Sequence, residues 1–350
     1  MKPNQITGLT AEIANRIGSK ACRNSSWHTE GAALAVMSSL AACRYWVSRP
    51  VRPHDEPDKA IYEPRIVQRN FFLINQAPAL ADETCSCAEM VMRDAGDESV
   101  FRHGLSPKMA WSRSAKEPGF LLLIPYATLK ELESLDPAEN GNASHAAKVL
   151  NALQRSKHEQ TAHYPHLVRK DDRSPDVLPP SPHTILAAIA RKDLRDNLSA
   201  YRTGGVLGHC AVYVPPGNTT TNKHPEIRPI PTELARKMGV LIESRRDLTN
   251  PTLVNWSASA QANFGLFDIG LRLRDMDYPF LPDWVELGEQ VIDIAALLAI
   301  GDNAHVPIIS VGNVNAAIRI ATRGYWSYVR LMARNSSGIL KPSKAMQLLG

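Results

Sequence analysis

The sequence predicts an α/β fold built on a largely parallel sheet, and three observations carry that expectation. Short apolar runs at Phe71–Ile74, Phe120–Ile124 (FLLLI), Thr184–Ala190 (TILAAIA) and Cys210–Val214 (CAVYV) have the length and composition of strands buried on both faces. Segments with helical spacing follow the first two of these runs, and alternation of strand and helix is the pattern of a parallel sheet. At 350 residues, with 44% hydrophobic and 21% charged residues, the chain can build an ample core and has the composition of a globular protein.

The elements follow in order. Residues 9–47 read as helix in two pieces, LTAEIANRIG with Thr10 as a cap and EGAALAVMSSLAACRYWV. Ser48–Pro64 holds Pro50, Pro53, Pro57 and Pro64 and reads as a linker. Phe71–Ile74 is the first central strand, followed by a short loop and a helix over Thr84–Ala95. Ser106-Pro107 has the form of a helix start, and Thr128-Leu-Lys-Glu131, after the second strand, that of a capping box. A helix is expected around Ala143–Ser156, then a polar, His- and Pro-rich excursion over residues 157–182. Beyond Pro229 the chain turns helical, with Pro231–Ser244, Trp256–Arg274, Pro282–Ile300 and Val311–Ala333 as the main pieces. The expected organisation is a helical segment and linker over 1–64, an α/β core over 65–230 and a helical region over 231–350.

Bulk properties narrow the function. Net charge is +5, compatible with nucleic acid but spread along the chain rather than gathered in one run. The five cysteines, Cys22, Cys43, Cys85, Cys87 and Cys210, are odd in number and irregularly spaced. That argues against a disulfide framework and for a reducing compartment, so a cytoplasmic protein is expected. No apolar run reaches the roughly 18 residues of a membrane span, and no membrane partner is expected.

The stretch NFFLINQAPALADETCSCAEMVMRDA (70–95) is the most informative. A strand, a turn and a helix are the frame of a phosphate-binding loop, which needs glycines and a Gly-Lys-Ser/Thr ending so that backbone N–H groups and a lysine cradle phosphate. Here the corresponding positions hold Leu80, Ala81, Asp82, Glu83 and Thr84. The hydroxyl remains, and two carboxylates stand where a polyphosphate would bind.

Taken in order, the segments resemble those of the replication ATPases carried by prophages and plasmids, relatives of the RecA-like replicative helicases that are often attached to primase domains. NFFLINQAPALADET is similar to that family's strand and phosphate loop, GFLLLIPYATLKELESL (119–135) to its acidic strand, and TILAAIARKDLRDNL (184–198) to its sensor strand. GGVLGHCAVYVPP (204–216) resembles the strand that bears a basic finger, and WVELGEQVIDIAALLAI (284–300) the closing helical region. The resemblance implies a P-loop NTPase-like, RecA-like three-layer core with flanking helices.

It also implies what has been lost. The phosphate-loop lysine position holds Glu83 and its glycine positions hold Leu80 and Asp82. The acidic pair of the second strand is replaced by Pro125 and Tyr126, and the finger arginine by His209. Losing cationic phosphate ligands and a metal carboxylate together removes several kcal/mol each of nucleotide and transition-state binding. The expectation is a degenerate ATPase-like replication protein of a mobile element, acting as a scaffold or as a subunit that binds DNA or other replication proteins, with a homo-oligomer as one form. No cofactor is implied, and ATP with Mg²⁺ enters only if the altered loop still binds. An ATPase completed by a neighbouring protomer and a PIN-type metal nuclease are the alternatives.

Other residues complete the candidate set. Arg44, Arg49 and Arg52 near Tyr45 and Trp46, and Arg323, Arg330 and Arg334 near Tyr325 and Trp326, are candidates to contact phosphates and stack on bases. His158-Glu159 with His163 and His166 has the wrong spacing for a zinc helix, and Pro165 interrupts it, so no metal site is expected.

Overall fold

In the computed structural model the described residues are 6–42, 44–51, 61–67, 69–75, 78–102, 119–127, 184–190, 210–213, 220–246, 251–277 and 284–333. They form a mixed α/β architecture whose centre is a five-stranded, wholly parallel sheet. Its strands are β4 (Asn70–Asn75), β5 (Val100–Arg102), β6 (Leu121–Ala127), β7 (Thr184–Ala190) and β8 (Cys210–Tyr213). They lie in the order β5-β6-β7-β4-β8. The first strand of this sheet is therefore flanked by its fourth and fifth.

All four apolar runs of the sequence are strands of this sheet, and burial explains why they were legible. Leu121, Leu122, Leu123 and Ile124 are all buried, as are Leu186, Ala187, Ala188 and Ile189, so both faces are covered. Pairing aligns Leu123, Leu186, Phe71 and Ala211 in one row across the sheet. That row faces the main core, beneath α2 (Ser26–Ala41) and α3 (Pro78–Asp94). In α2 the run Ala32–Met37 is wholly inaccessible to solvent, which suits a central helix that is apolar on nearly every side. Gly31 brings its backbone onto β4 and β8: a Cβ there would stand 3.0 Å from Leu73 and 3.1 Å from Tyr213.

Pro125 leaves its mark on β6. The ladder with β7 loses register between Ile124 and Ala127, as expected where a residue without an N–H enters an internal strand.

The two flanking segments are less purely helical than the sequence predicts. α1 (Gly8–Lys20) forms, but its N-cap is Thr7 and Thr10 is a buried interior residue. The second predicted helix ends at Ala41, and Tyr45–Val51 is strand β2, which pairs antiparallel with β3 (Ile61–Ile66). Aromatic and β-branched residues at Tyr45, Trp46 and Val47 favour that outcome. The stretch expected to be a linker thus supplies two strands.

In the C-terminal half, α4 (Thr232–Arg246), α5 (Ala258–Asp277), α6 (Trp284–Asp302) and α7 (Val311–Ala333) match the four predicted helices. Trp256, expected to open a helix, instead ends β10 (Thr252–Trp256), and β11 (Ile308–Ile309) follows α6. β10 runs parallel to β2 and to β11, giving a second sheet of order β11-β10-β2-β3. Strands from residues 1–64 and 231–350 thus share a sheet, and one hydrophobic cluster reaches from Ile6 to Tyr325. A small pair, β1 (Arg23–Asn24) with β9 (Thr220–Thr221), completes the described strands.

Candidate functional site

Open parallel sheets place ligands outside the carboxyl ends of their strands, which in this sheet puts a phosphate-type ligand at the end of β4. β4 closes at Asn75 and α3 opens at Pro78. Proline suits the first helical position because its missing N–H would be unpaired there anyway. The residues expected to form a phosphate loop, Ala79–Thr84, instead lie in the first two turns of α3. Their local structure is helix, not loop.

The side chains of Leu80, Glu83 and Thr84 are committed elsewhere. Leu80 is buried at 4% exposure. The Thr84 hydroxyl, wholly buried, donates to the Leu80 carbonyl at 3.0 Å. The Asp82 carbonyl accepts from the Ser86 hydroxyl at 2.8 Å. Glu83 turns towards β1, where its carboxylate accepts the backbone N–H groups of Cys22 and of Arg23, the latter at 3.2 Å. Glu83 therefore does not guard a phosphate mouth; it fastens the β1 segment to α3.

The thiols around Glu83 stay protonated. Its hydrogen bond, with burial second, raises the Cys22 thiol above the ordinary cysteine value. Burial, and then the Glu83 charge, push Cys87 up to about 12. Neither is an activated nucleophile.

A second polar cluster lies by the carboxyl end of β8. Glu30, on α2, is almost wholly buried and pairs with Arg323 of α7. The Arg323 guanidinium stacks over the Trp27 ring, 4.2 Å from its centroid. Tyr213, at the end of β8, is buried, with its hydroxyl lacking a hydrogen-bond partner among the described residues. Burial pushes the Glu30 carboxyl up to about 7, with Arg323 pulling the other way. Burial and then the Glu30 charge hold the Tyr213 hydroxyl well above its usual value. α7 sits tightly here: a Cβ on Gly324 would come within 2.4 Å of the Val212 carbonyl.

The remaining candidates separate. Arg323 faces inward to Glu30 rather than outward to a phosphate. Tyr45 and Trp46 are buried and offer no face to a base, and Arg44 is half-buried beside them. Tyr325 is buried and stacks edge-on against Trp326 at 5.6 Å. Arg52, His209 and Arg334 lie outside the described residues, as do the side chains of Arg49, Pro125, Tyr126 and Arg330. So do Ser106-Pro107, Thr128–Glu131, the 143–156 helix and the His158–His166 cluster. Among the described residues no three His, Cys, Asp or Glu side chains gather as a metal site would require, and no helix is long and apolar enough to cross a membrane.

Sequence reasoning missed Glu30, Trp27 and Tyr213. One signal was available: Glu30 stands alone as an acid at the head of an Ala- and Leu-rich helix, and such a buried acid requires a cation. No protein-family model matches the chain, and no curated protein matches its sequence.

Proposed function

We propose that the chain is a RecA-like replication protein of a mobile element that works without hydrolysing ATP, as a scaffold or as a subunit that binds DNA or a partner protein. What supports an α/β core is the parallel sheet itself, with its first strand between the fourth and fifth and the second at the edge. The observation that carries the non-hydrolysing half is the short connection between Asn75 and Pro78. In a regular helix only the first few N–H groups are free, so those of Asp82, Glu83 and Thr84 are spent on carbonyls of the preceding turn. Backbone donors that a phosphate loop would aim at its ligand are thereby used up, and the Thr84 hydroxyl that would reach Mg²⁺ is bonded to Leu80.

Isothermal titration with Mg²⁺-ATP, with phosphate release measured in parallel, tests this reading. Heats that do not saturate below millimolar nucleotide, with no turnover, are expected. Saturable micromolar binding with Mg²⁺-dependent release of phosphate overturns it.

A further inference from the structure

After β9 the chain crosses the last turns of α1 as a non-helical strap, residues 222–231. It is fastened from beneath. The Asn222 N–H donates to the Cys22 carbonyl at 2.6 Å, and the Glu226 N–H to the Ser19 carbonyl at 2.8 Å. Arg16 and Lys20, both buried, donate to the Arg228 carbonyl, Arg16 also reaching that of Pro229 at 2.7 Å. Arg16 also pairs with Glu226, the strap's own acid, and Lys20 pairs with Asp94 at 3.0 Å. At the far end the Ile230 N–H donates to Asp94 at 3.2 Å.

The inner cations are thus consumed in anchoring, and the strap's carboxylate is neutralised from below. What faces solvent is richer in cations: Arg23, Lys223, His224 and Arg228 are exposed, with Ile227 among them 92% exposed, and the one carboxylate exposed beside them is Glu226, already paired with Arg16. None of Arg23, Lys223 and Arg228 has an ion pair among the described residues. The β1–β9 register sets Arg23 opposite Thr221, two positions before Lys223. From Lys223 to Arg228 the chain spans at most about 17 Å.

We propose that this strap is a docking surface for a single-stranded nucleic acid, Arg23, Lys223 and Arg228 taking phosphates and Ile227 giving an apolar face against which a base can lie. The choice of nucleic acid among polyanions rests on the reading of the chain as a replication protein. The surface itself stands on the strap's geometry and charge. A narrow, anchored ridge with Lys223 and Arg228 on either side of Ile227, its one carboxylate taken up by Arg16, fits a strand that alternates phosphates with bases.

Fluorescence anisotropy of a labelled oligothymidylate of about 20 nucleotides, with the full chain between 50 and 200 mM salt, tests it. The combined Arg23→Glu, Lys223→Glu and Arg228→Glu variant is expected to bind at least tenfold more weakly. Its logarithmic salt dependence should be shallower by about 2, as three lost phosphate contacts require. Ile227→Ser should weaken binding severalfold without changing the slope, and Arg319→Glu, an exposed cation of α7, should leave binding within twofold. The substituted side chains are exposed, and unchanged melting curves confirm intact folds. A triple variant that binds like the parent, a parent that does not bind at the lowest salt, or displacement by poly-glutamate as effective as by unlabelled oligonucleotide each overturns the proposal. Because ATP titration is read separately, nucleotide binding with a functional strap would defeat the non-hydrolysing reading and leave this one standing.

Discussion

Glu30 of α2 and Arg323 of α7, 293 positions apart in sequence, meet as an ion pair with the carboxylate almost wholly buried and the guanidinium lying on Trp27. Their pairing ties the last described helix to the central one, beside the end of β8. Yet it is not a simple gain in stability. Burial raises the Glu30 carboxyl from 4.5 to about 7, so desolvation outweighs the attraction of Arg323.

That balance fixes a pH dependence. Between its unfolded and folded values Glu30 holds a proton in the folded state that it releases on unfolding. Its contribution is therefore complete below about pH 4.5 and lost as pH rises through about 7. The shift corresponds to roughly 3 kcal/mol. Urea denaturation across that window should show the parent losing stability with rising pH relative to Glu30→Gln. Parallel curves for the two proteins would mean that the carboxyl titrates normally.

Gly324 and Gly239 make opposite predictions for the same substitution. A Cβ on Gly324 would stand 2.4 Å from the Val212 carbonyl, a backbone atom of β8 that cannot move aside alone. Gly324→Ala should cost about 1–3 kcal/mol, the range for overpacking. Gly239 lies inside α4 with open space around it. Gly239→Ala should stabilise by roughly 0.5–1 kcal/mol, because alanine is the better helix former. Thermal melts of both variants against the parent check the contrast in sign.

Arg245 holds the amino ends of two strands to the C-terminal half. Its guanidinium donates to Asp97 at 3.0 Å, to the Ser99 hydroxyl at 2.7 Å and to the Gly119 carbonyl at 2.9 Å, with both charged partners buried. Arg245→Met should destabilise by about 3–5 kcal/mol, because it strands a buried carboxylate. Lysine should rescue little of that loss, since a point charge cannot serve a forked set of acceptors. Denaturant midpoints of the two variants test both statements.

The sheet was legible where local and global signals agree. β6 and β7 are buried on both faces and so appear as unbroken apolar runs. The second sheet was hidden by conflicting local signals. Tyr45–Val47 follows an Ala-rich helix without a glycine or proline between them, and Pro50 suggests a linker. Pro50 is tolerated in β2 because β10 pairs only with Tyr45–Val47, which leaves the Pro50 edge facing no ladder on that side. At the end of β4, Pro78 signalled the helix start, but the similarity of ALADET to a phosphate loop drew the boundary to Thr84. Of the site, Glu83 and Arg323 were visible as residues, though not their partners: backbone N–H groups of Cys22 and Arg23 in one case, and a buried glutamate in the other. Such pairings are made by tertiary structure and have no local signature.

Glu83 offers a way to separate charge from geometry at the end of β4. If repulsion alone kept nucleotide away, reversing the charge at the position that resembles the phosphate-loop lysine would restore binding. In α3, however, the donors that would surround a phosphate remain inside the helix whatever side chain residue 83 carries, and Leu80 and Thr84 stay buried beneath it. Glu83→Lys should therefore bind Mg²⁺-ATP no better than the parent. It should also lose about 1–3 kcal/mol of stability, because the N–H groups of Cys22 and Arg23 lose their acceptor. Equilibrium dialysis against labelled ATP and a urea titration of the same variant read the two effects together. Micromolar retention of nucleotide by Glu83→Lys would show that a single charge, not the helical backbone, closes this end of the sheet.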